Sequence, residues 1–517
     1  MNRIRKHILC LLCAALLLPM AACGGDTLRS FTWFVEEIPA NLDPQIAATS
    51  AELIACTHLY SGLFRQNADG SLENDLCESY TVSADGLTYT FTLRPGLTYR
   101  KARGGEAEYP VTAADFVFAF RRVFRAETAS PYAASFAGIR NSAAVLDGTL
   151  DESALGVSAP DDTTLVIQLS APDVHFPEKL TLPGAMPCNE AFFDSTQGTY
   201  GLSSSAMLSC GPFYLYNWTS SGLFLRRAAD GHLVNSLRLV QNTDTSGMGP
   251  AELVENEKCT AILDSGSSDT GLTELSYSDT TWCLLFNPDT VFADQALRQA
   301  LSIAAREVSL PDDETLYTAA AGIVPDGAAV DSLDYRDGAG DLAAPAGDGA
   351  ALYAQALDEV GVENLSGLSI LVPESADSAY VQALNGLWQT RYSLFLNVET
   401  VPDEEFAARC ASGRYTLALA PLTLTRSDPY ALLAIFADDA GDCYAGDEYA
   451  ALLGRAAAAA GRSRLSLLAE AERQLAADCL VTPLYAQQKR LLVDPAVEGL
   501  RFEPYGPVLD VTGATME

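Results

Sequence analysis

The sequence predicts a mixed α/β protein built from more than one domain. Segments with the two-residue alternation of strands are repeatedly followed by segments with helical spacing, an order typical of α/β lobes. The chain has 517 residues, which is too long for a single core and favours two or three domains. Apolar residues make up 48% and charged residues 19% of the chain, which indicates a globular protein rather than a disordered one.

The first 23 residues predict export from the cell. A basic start precedes an apolar run over 8–20 and then two alanines and Cys23, the pattern of a secretory signal. The run of about 13 residues is shorter than the roughly 20 that span a bilayer. The cysteine after two alanines resembles the bacterial lipobox, with Met20 where leucine is more usual. We therefore expect a signal peptide over 1–22, a lipid on Cys23 and a tether over 23–27; the alternatives are an ordinary signal peptide or an uncleaved anchor helix.

Strands dominate the first half of the mature chain. The pattern predicts a strand over 28–38, a turn at 41–44 and a helix over 51–64. Alternating residues on both sides of Gly86 predict a hairpin. Thr112 followed by Asp115 is the sequence pattern of a capping box and predicts the start of a helix. Three further strands are expected, over 163–169, 211–218 and 222–227.

The second half changes character after turn-forming residues cluster at 242–249 and 265–271, so a boundary is expected near 240–275. Helical spacing predicts helices beyond that boundary, and short apolar runs predict strands between them. A glycine-rich segment at 338–349 reads as a surface loop. The expected helices cover 293–307, 379–392, 447–460 and 465–477, and the expected strands cover 368–372, 394–398 and 415–424.

Charge and cysteine content exclude several classes of protein. Acidic residues number 67 against 32 basic residues, for a net charge of −35, and such a surface repels phosphates, so we expect no nucleic-acid partner. The mature cysteines form neither a CxxC pair nor a cluster with metal-ligand spacing. Most are expected to be buried apolar residues. An exported protein can form disulfides, and Cys188 with Cys210 is the pair that we expect first.

No pattern in the sequence indicates covalent chemistry. His58, His175 and His232 remain after processing, and none lies in HExxH or beside a nucleophile motif. The sequence has no GxSxG elbow, P-loop or GxGxxG turn. We read each histidine as a surface residue or a satisfied core residue. The chain is thus expected to be a binding protein rather than an enzyme, with no metal and no cofactor.

A series of motifs, in the same order, resembles the extracytoplasmic solute-binding proteins of family 5, which serve ABC importers of peptides and nickel. The most specific is Pro-Val-Thr-Ala-Ala-Asp-Phe at 110–116. Each motif also has a structural reading as a cap or a turn, so the motifs identify the fold rather than the site. The matching segments are 41–44, 59–64, 69–72, 75–80, 85–94, 110–116, 130–132, 161–169, 211–213, 292–294, 297–302 and 428–430.

The resemblance implies a two-lobed periplasmic-binding-protein-like (Venus-flytrap) fold with two chain crossings between the lobes. The first lobe would hold 28–264 and 486–517, with an extra subdomain at about 46–158, and the second lobe would hold 265–485. The ligand would lie between the lobes, which close by hinge bending. Peptide-binding relatives pair the peptide backbone with protein strands and leave roomy pockets for the side chains.

The resemblance also places the ligand-binding residues on two segments. In the first lobe they are Trp33, Phe34, Glu36, Glu37 and Ile38, and in the second lobe they are Pro421, Leu422, Thr423, Thr425 and Asp428. Thr425 stands where peptide binders commonly carry the aspartate that takes the peptide amino group. Pro421 and Leu422 stand where glycine and tryptophan are frequent, and Pro421 has no N–H to offer a ligand. Either Glu36, Glu37 or Asp428 replaces the lost anchor, or the ligand is not a peptide with a free amine.

The resulting functional expectation is a lipid-anchored, extracytoplasmic binding component of an ABC importer. It would act as a monomer, bind a peptide and deliver it to permease and ATPase subunits. The alternatives are another small solute, such as a nickel complex, an opine or a sugar, and a sensor lipoprotein. A surface hydrolase or chaperone on the same scaffold is a further alternative, but the sequence shows no clustered nucleophile and base of the kind that a hydrolase needs.

Overall fold

The computed structural model describes residues 28–67, 71–228, 230–264, 270–310, 316–331, 333–362, 364–437, 445–505 and 508–517. The predicted signal peptide at 1–22, the tether at 23–27 and the lipidated Cys23 lie outside these residues. Part of the motif at 69–72 and Cys443 lie outside them as well.

The described residues have the expected mixed α/β architecture, divided into two lobes. The largest sheet has 11 strands, in the order β10-β11-β12-β1-β13-β21-β14-β20-β18-β19, and β15 pairs with β21. In chain order the strands are β1 (Ser30–Phe34), β2 (Phe64–Gln66), β3 (Leu72–Asn74), β4 (Cys77–Val82), β5 (Thr88–Leu93), β6 (Thr98–Arg100), β7 (Glu106–Pro110), β8 (Val157–Ser158), β9 (Thr164–Gln168), β10 (Tyr214–Thr219), β11 (Gly222–Arg226), β12 (Ser236–Val240), β13 (Ala261–Asp264), β14 (Thr273–Phe286), β15 (Tyr317–Ala319), β16 (Ala329–Val330), β17 (Leu333–Asp334), β18 (Ser369–Pro373), β19 (Asn397–Val401), β20 (Leu417–Thr423), β21 (Val481–Val493), β22 (Val497–Glu498), β23 (Arg501–Glu503), β24 (Val508–Asp510) and β25 (Thr515–Met516).

Helices connect many of the strands and pack against them. The α-helices are Ser50–Leu59, Ala113–Val123, Ser142–Leu146, Phe176–Lys179, Glu190–Ser195, Pro250–Glu255, Gln295–Ala305, Tyr335–Ala339, Gly349–Val360, Ser378–Tyr392, Asp403–Ala411, Tyr430–Ala434, Asp447–Ala457 and Gly461–Ala477. Short 3₁₀ turns lie at Ala102–Gly104, Ala126–Thr128, Glu152–Ala154, Pro183–Ala185 and Val291–Ala293. Within the described ranges, every helix falls short of the length and apolar character that a bilayer span requires.

Two long antiparallel strands, β14 and β21, connect the lobes. Their first-lobe ends meet where Thr273 pairs with Val493, and their second-lobe ends meet where Leu285 pairs with Val481. The register shifts between Tyr277 and Thr280, a bulge of the kind that bends a strand and increases its twist. Both strands therefore run through both lobes. This register shift lies between their first-lobe ends and their second-lobe ends.

Separate hydrophobic cores lie on the two sides of this crossing. The first lobe has one core behind β1 and β12 and another around the four-stranded sheet β4-β5-β9-β8. In the second lobe, one core lies behind β20 and β18 and another lies under the helices Asp447–Ala457 and Gly461–Ala477. Each lobe therefore buries its own apolar side chains, as separate domains of one chain do. The lobe boundaries at 264/265 and 485/486 remain predictions. Representative fully buried residues are Phe31, Leu237, Phe91, Phe116, Leu284, Trp388, Leu433 and Leu468.

Most local predictions agree with the structure because local chemistry fixes these elements. The backbone N–H of Thr112 donates to the Asp115 carboxylate at 2.8 Å, which confirms the predicted capping box. Gly86 has a φ of 71° in the turn between β4 and β5, a conformation that glycine adopts without strain. The predicted loop at 338–349 differs, because the helix Tyr335–Ala339 extends into it from its Asp334 cap.

The predicted disulfide is wrong: Cys188 and Cys210 are both free thiols. The Cys188 sulfur accepts from Arg122 Nη1 at 3.5 Å, while the Cys210 sulfur points to the Ser61 carbonyl oxygen at 3.9 Å. Burial raises the pKa of each thiol to about 12. Cys188 is therefore a buried neutral core residue, and Cys210 is a partly buried thiol that packs against the core, close to the role expected for most cysteines of this chain.

Candidate functional site

A cavity of about 490 Å³ lies between the two lobes. That volume falls within the range of small-molecule pockets. The first-lobe wall comprises Ala47, Ala48, Leu53, Thr57, Tyr60, Gly62, Phe64, Arg65, Gln66, Asn67, Asp75, Pro131, Tyr132, Glu178, Thr181, Leu182, Pro183 and Met186. The second-lobe wall comprises Ala329, Asp331 and Thr425 to Asp428, and the C-terminal segment adds Arg501, Phe502, Tyr505 and Asp510.

The first-lobe wall is held by the segment between β1 and the first helix. Thr49 caps that helix, and its reciprocal partner Glu52 completes a capping box. Ala47 and Ala48 therefore sit at a fixed helix entrance facing the cavity. Tyr132 donates its hydroxyl to the Ala47 carbonyl oxygen at 2.5 Å, which ties this entrance to the segment after residue 130.

A buried polar network supports the same wall from behind. Arg122 forms an ion pair with Asp43 and donates to the Gln45 amide oxygen at 2.6 Å. Gln45 donates in turn to the Met186 carbonyl oxygen at 2.9 Å. Asp43, Gln45 and Arg122 are all at least 96% buried, so the Asp-Pro motif of the sequence acts here as structural support rather than as a ligand contact.

The second-lobe wall is the turn that follows β20. The Asp428 carboxylate accepts from Arg464 at 3.0 and 3.2 Å and from the Tyr430 N–H at 2.7 Å. The Ala329 N–H donates to the Ser427 carbonyl oxygen at 2.9 Å, which joins this turn to β16. Thr425 is exposed and lines the cavity together with Asp428.

One end of the cavity carries paired charges of both signs. The Asp510 carboxylate lies 3.4 Å from Arg501 and 3.7 Å from Arg65, and Arg65 also lies 3.4 Å from Asp75. Burial opposes ionisation of Asp510, but the Arg65 and Arg501 cations and a hydrogen bond from Thr512 outweigh it and lower the pKa of this carboxyl. Both arginine side chains remain partly exposed, at 18% and 28%, so they can still reach a solute.

A second charged group on the cavity wall spans the two lobes. His175 precedes the short helix Phe176–Lys179, and its Nδ1 lies 3.2 Å from Glu178 and 3.5 Å from Asp331. Glu178 and Asp331 both line the cavity, one from each lobe. The hydrogen bond to Glu178 raises the pKa of His175 despite partial burial. The sequence reading of His175 as a surface or satisfied core residue missed this group, because its second-lobe member is remote in the chain.

The structure separates the predicted first-lobe residues from the cavity. Trp33 is 6% exposed and packs inside the first-lobe core, and Phe34 continues the pairing of β1 with β12. Glu36 and Glu37 are exposed just after β1, and Ile38 packs against the first-lobe core. These five residues are absent from the cavity lining as far as the described chain reaches.

The predicted second-lobe residues divide into two sets. Pro421 and Leu422 lie within β20, opposite Trp282 and Thr281 of β14, and the Thr423 hydroxyl lies 2.9 Å from that of Thr280. Thr425 and Asp428 lie beyond the strand end and line the cavity. The structure thus brings the later half of the predicted segment to the cavity and keeps the earlier half in the sheet.

Sequence reasoning overlooked the first-lobe wall, although a pattern pointed to it. Ala47 and Ala48 directly follow the motif at 41–44, and Pro131 with Tyr132 belongs to the motif at 130–132. From the sequence alone, both motifs indicate structural roles. Their common position on one wall of the cavity depends on contacts between distant segments, such as the bond from Tyr132 to Ala47.

Known proteins resemble this chain along most of its length. Residues 71–442 match the profile of the bacterial extracellular solute-binding proteins, family 5, middle region. A dipeptide-binding protein of Lactococcus lactis is 24% identical over 96% of both chains. The oligopeptide-binding protein OppA of Bacillus subtilis is 32% identical over 36% of this chain and 33% of its own. The solved structure of Listeria monocytogenes OppA bound to peptide superposes with a TM-score of 0.69 at 21% identity, covering 95% of this chain and 99% of the other.

Proposed function

This chain belongs to the bacterial extracellular solute-binding proteins of family 5, and from that membership we propose that it captures a short peptide between its lobes for an ABC importer. The proteins of this family are binding proteins rather than enzymes. No covalent step is involved, since such a protein works through the different affinities of its open and closed states for the solute.

The charge pattern of the cavity carries this proposal. Its lining includes acidic and basic side chains at several points: Asp75, Glu178, Asp331, Asp428 and Asp510 against Arg65, Arg426 and Arg501. A free peptide is a zwitterion with an ammonium at one end and a carboxylate at the other. Walls that carry both signs suit such a ligand better than a neutral sugar, and the apolar Leu53, Phe64 and Met186 offer room for side chains.

We assign the carboxylate end of the peptide to Arg65 and Arg501. A guanidinium can form two parallel hydrogen bonds to a carboxylate, and both side chains are partly exposed beside the cavity. Asp428 is the proposed partner of the ammonium end, because it is the acidic residue of the predicted second-lobe segment that lines the cavity. The Thr425 hydroxyl would contribute a hydrogen bond to the same end.

The experiment is a thermal-shift and calorimetric screen of the purified chain with peptides of two to eight residues. A stabilising peptide is then compared with its C-terminal amide and its N-acetyl form. Each blocked end removes a charge-assisted hydrogen bond that is worth about 1.5–3 kcal/mol, so each should weaken binding by about tenfold or more. If no peptide shifts the melting temperature, the peptide proposal fails.

A variant tests the assignment of the carboxylate end. Arg501→Gln should reduce the preference for the free acid over the amide, since it removes the cation but keeps a polar side chain. Arg414→Gln is the control, because Arg414 is exposed and lies outside the cavity lining. An unchanged preference in Arg501→Gln would reject Arg501 as the anchor. Equal binding of N-acetyl and free peptides would instead favour a ligand without a free amine, in line with Thr425 in place of aspartate.

The proposed cellular role includes the lipid anchor, the oligomeric state and the transport partners that the sequence led us to expect. We propose that Cys23 carries the lipid, that the protein is a monomer on the outer side of the cell membrane, and that permease and ATPase subunits receive the solute. Metabolic labelling with palmitate, lost in Cys23→Ser, tests the anchor, and light scattering tests the monomer. Peptide uptake by cells that lack the chain separates an importer component from a sensor lipoprotein, because loss of a sensor leaves uptake intact.

A further inference from the structure

The cross-lobe group of His175, Glu178 and Asp331 places three metal-ligating atoms together. The three side chains each offer one ligand atom, and these atoms all lie within 4.8 Å of one another. His175 and Glu178 are three residues apart around one short helix of the first lobe. Asp331 follows β16 in the second lobe. Any ion held by all three would therefore join the two lobes.

The protein orients two of the three side chains from behind. His175 Nε2 lies 2.8 Å from the Ala459 carbonyl oxygen, which can only accept, so Nε2 carries a hydrogen and donates it. The other oxygen of Asp331 accepts from the Gly461 N–H at the start of the helix Gly461–Ala477. A histidine that donates its second ring N–H to a carbonyl, and a ligating carboxylate that is itself hydrogen-bonded, are the outer contacts typical of metal sites.

This arrangement leaves His175 Nδ1 between two carboxylates. If Nδ1 carries only its lone pair, three electron-rich atoms face one another. A proton on Nδ1 supplies a single hydrogen bond and one positive charge, whereas Glu178 and Asp331 together bring two negative charges. The 3.5 Å separation to Asp331 is also long for a hydrogen bond. A divalent cation satisfies all three atoms and balances the charge.

The two separations measured from His175 Nδ1 suit zinc. Zinc binds histidine nitrogen and carboxylate oxygen at about 2.0–2.2 Å, which places two ligands of a tetrahedron roughly 3.3–3.6 Å apart. The Nδ1–oxygen separations of 3.2 and 3.5 Å are close to that spacing. Magnesium fits less well, because it prefers six oxygen ligands in an octahedron and rarely takes nitrogen.

The geometry points to a zinc site, formed by His175, Glu178 and Asp331, that clamps the two lobes together beside the solute cavity. Three protein ligands leave the fourth position to water or to a donor atom of the solute, as in other zinc sites with three protein ligands. Because Glu178 and Asp331 line the cavity, a bound zinc would border the space that the solute occupies. The ion binds the closed state better than the open state and so shifts the chain towards closure.

The test uses the full chain, stripped of metal with EDTA and then titrated with zinc chloride by calorimetry. Elemental analysis gives the stoichiometry, and small-angle X-ray scattering gives the radius of gyration with and without zinc. We expect one zinc per chain, a higher melting temperature and a smaller radius of gyration with zinc. Magnesium chloride at the same concentration should produce none of these changes.

Variants separate the site from adventitious surface binding. His175→Ala and Asp331→Asn should each weaken zinc binding by about 100-fold or more, because each removes a direct ligand where even an outer contact is worth 10–100-fold. His232→Ala is the matched control, since His232 is exposed and lies outside the group. Asp331→Asn is the sharper variant, because it leaves the two first-lobe ligands intact and should abolish the zinc-dependent compaction.

Two results would overturn the inference. In the first, the EDTA-treated wild type binds added zinc no better than His175→Ala does, and zinc leaves its radius of gyration unchanged. The other is tight zinc binding that survives Asp331→Asn, which would move the ion to another place. No peptide is present in these measurements, so their outcome is independent of whether the chain binds peptides.

Discussion

Two charged groups support the cavity in opposite ways. Asp43, Gln45 and Arg122 are deeply buried, and all three lie within the first lobe. His175 and Glu178 face Asp331 from the other lobe, and Glu178 remains 38% exposed. The first group forms when the lobe folds, whereas the second forms only when the lobes approach each other.

The two groups stabilise different equilibria: one stabilises folding, and the other stabilises the closed arrangement of the lobes. A buried pair within one lobe is lost only on unfolding, so its loss lowers the free energy of unfolding. A pair across the cavity is also lost on opening, so its loss changes the balance between open and closed states. Substitutions in the two groups should therefore affect different measurements.

The largest effect is expected from Asp43→Ala. The substitution leaves the Arg122 guanidinium buried without its ion-pair partner, and breaking a buried pair in this way costs about 3–5 kcal/mol. Urea unfolding followed by circular dichroism measures the loss. The exposed Asp230→Ala is the control and should change stability by less than about 0.5 kcal/mol. A loss below about 1 kcal/mol in Asp43→Ala would contradict the structural role given to this group.

A pH-dependent effect is expected from a second buried group of the first lobe. His58 accepts the Val511 N–H at Nε2 and donates from Nδ1 to the Ile54 carbonyl oxygen, so it is neutral in the folded state. Burial lowers the pKa of His58 from 6.5. Below about pH 6.5 the unfolded chain gains a proton that the folded chain does not, so the free energy of unfolding falls as the pH falls.

The measurement compares wild type with His58→Gln in urea between pH 7.5 and 5.5. Other groups titrate in the same window, but they contribute equally to both chains. The wild type should lose more stability across this window than the variant. Parallel pH profiles would show that His58 does not take up a proton on unfolding.

A smaller effect on folding is expected from Asp331→Asn in metal-free protein. Asparagine can still accept the Gly461 N–H, and a partly exposed ion pair contributes at most about 1 kcal/mol. The free energy of unfolding should therefore change by less than about 1 kcal/mol. The radius of gyration without solute should increase, because the contact across the lobes is weaker. A loss comparable to that of Asp43→Ala would show that the cross-lobe group stabilises folding rather than closure.

The smallest effect is expected from the double variant Glu36→Ala, Glu37→Ala. Both side chains are exposed after β1 and do not line the cavity. Affinity for a peptide with a free amine should change by less than about twofold, measured by calorimetry beside the N-acetyl form. A loss of tenfold or more that is confined to the free-amine peptide would restore these residues as the amine anchor.

Sequence reasoning succeeded where a motif is complete within a few residues. The capping box of Thr112 and Asp115, the turn at Gly86 and the helix Ser378–Tyr392 depend on neighbours in the chain. The ordered motifs also predicted the two-lobed fold, and the family profile over 71–442 confirms the family. The failed disulfide had no such local basis, because nothing in the spacing of Cys188 and Cys210 brings their side chains together.

The cavity lining shows the same difference between signals that are local in the sequence and contacts that are not. Thr425 and Asp428 were predicted as site residues and line it, since they follow a strand end that the resemblance identifies. The first-lobe wall at Ala47 and Ala48 was missed, because its position depends on how a helix entrance packs against Tyr132. Such packing brings together segments that are far apart in the chain, and their contact cannot be read from the sequence.

The sequence alone determined the class of protein, the order of its elements and the acidic charge of its surface. Hydrophobic periodicity, caps and turns act over a few residues, so they can be read without coordinates. Only the tertiary structure decided which charges meet, because it brings Asp331 of the second lobe within 3.5 Å of His175 in the first lobe. The strength of an ion pair depends on distance and burial, and neither quantity is written in the order of residues.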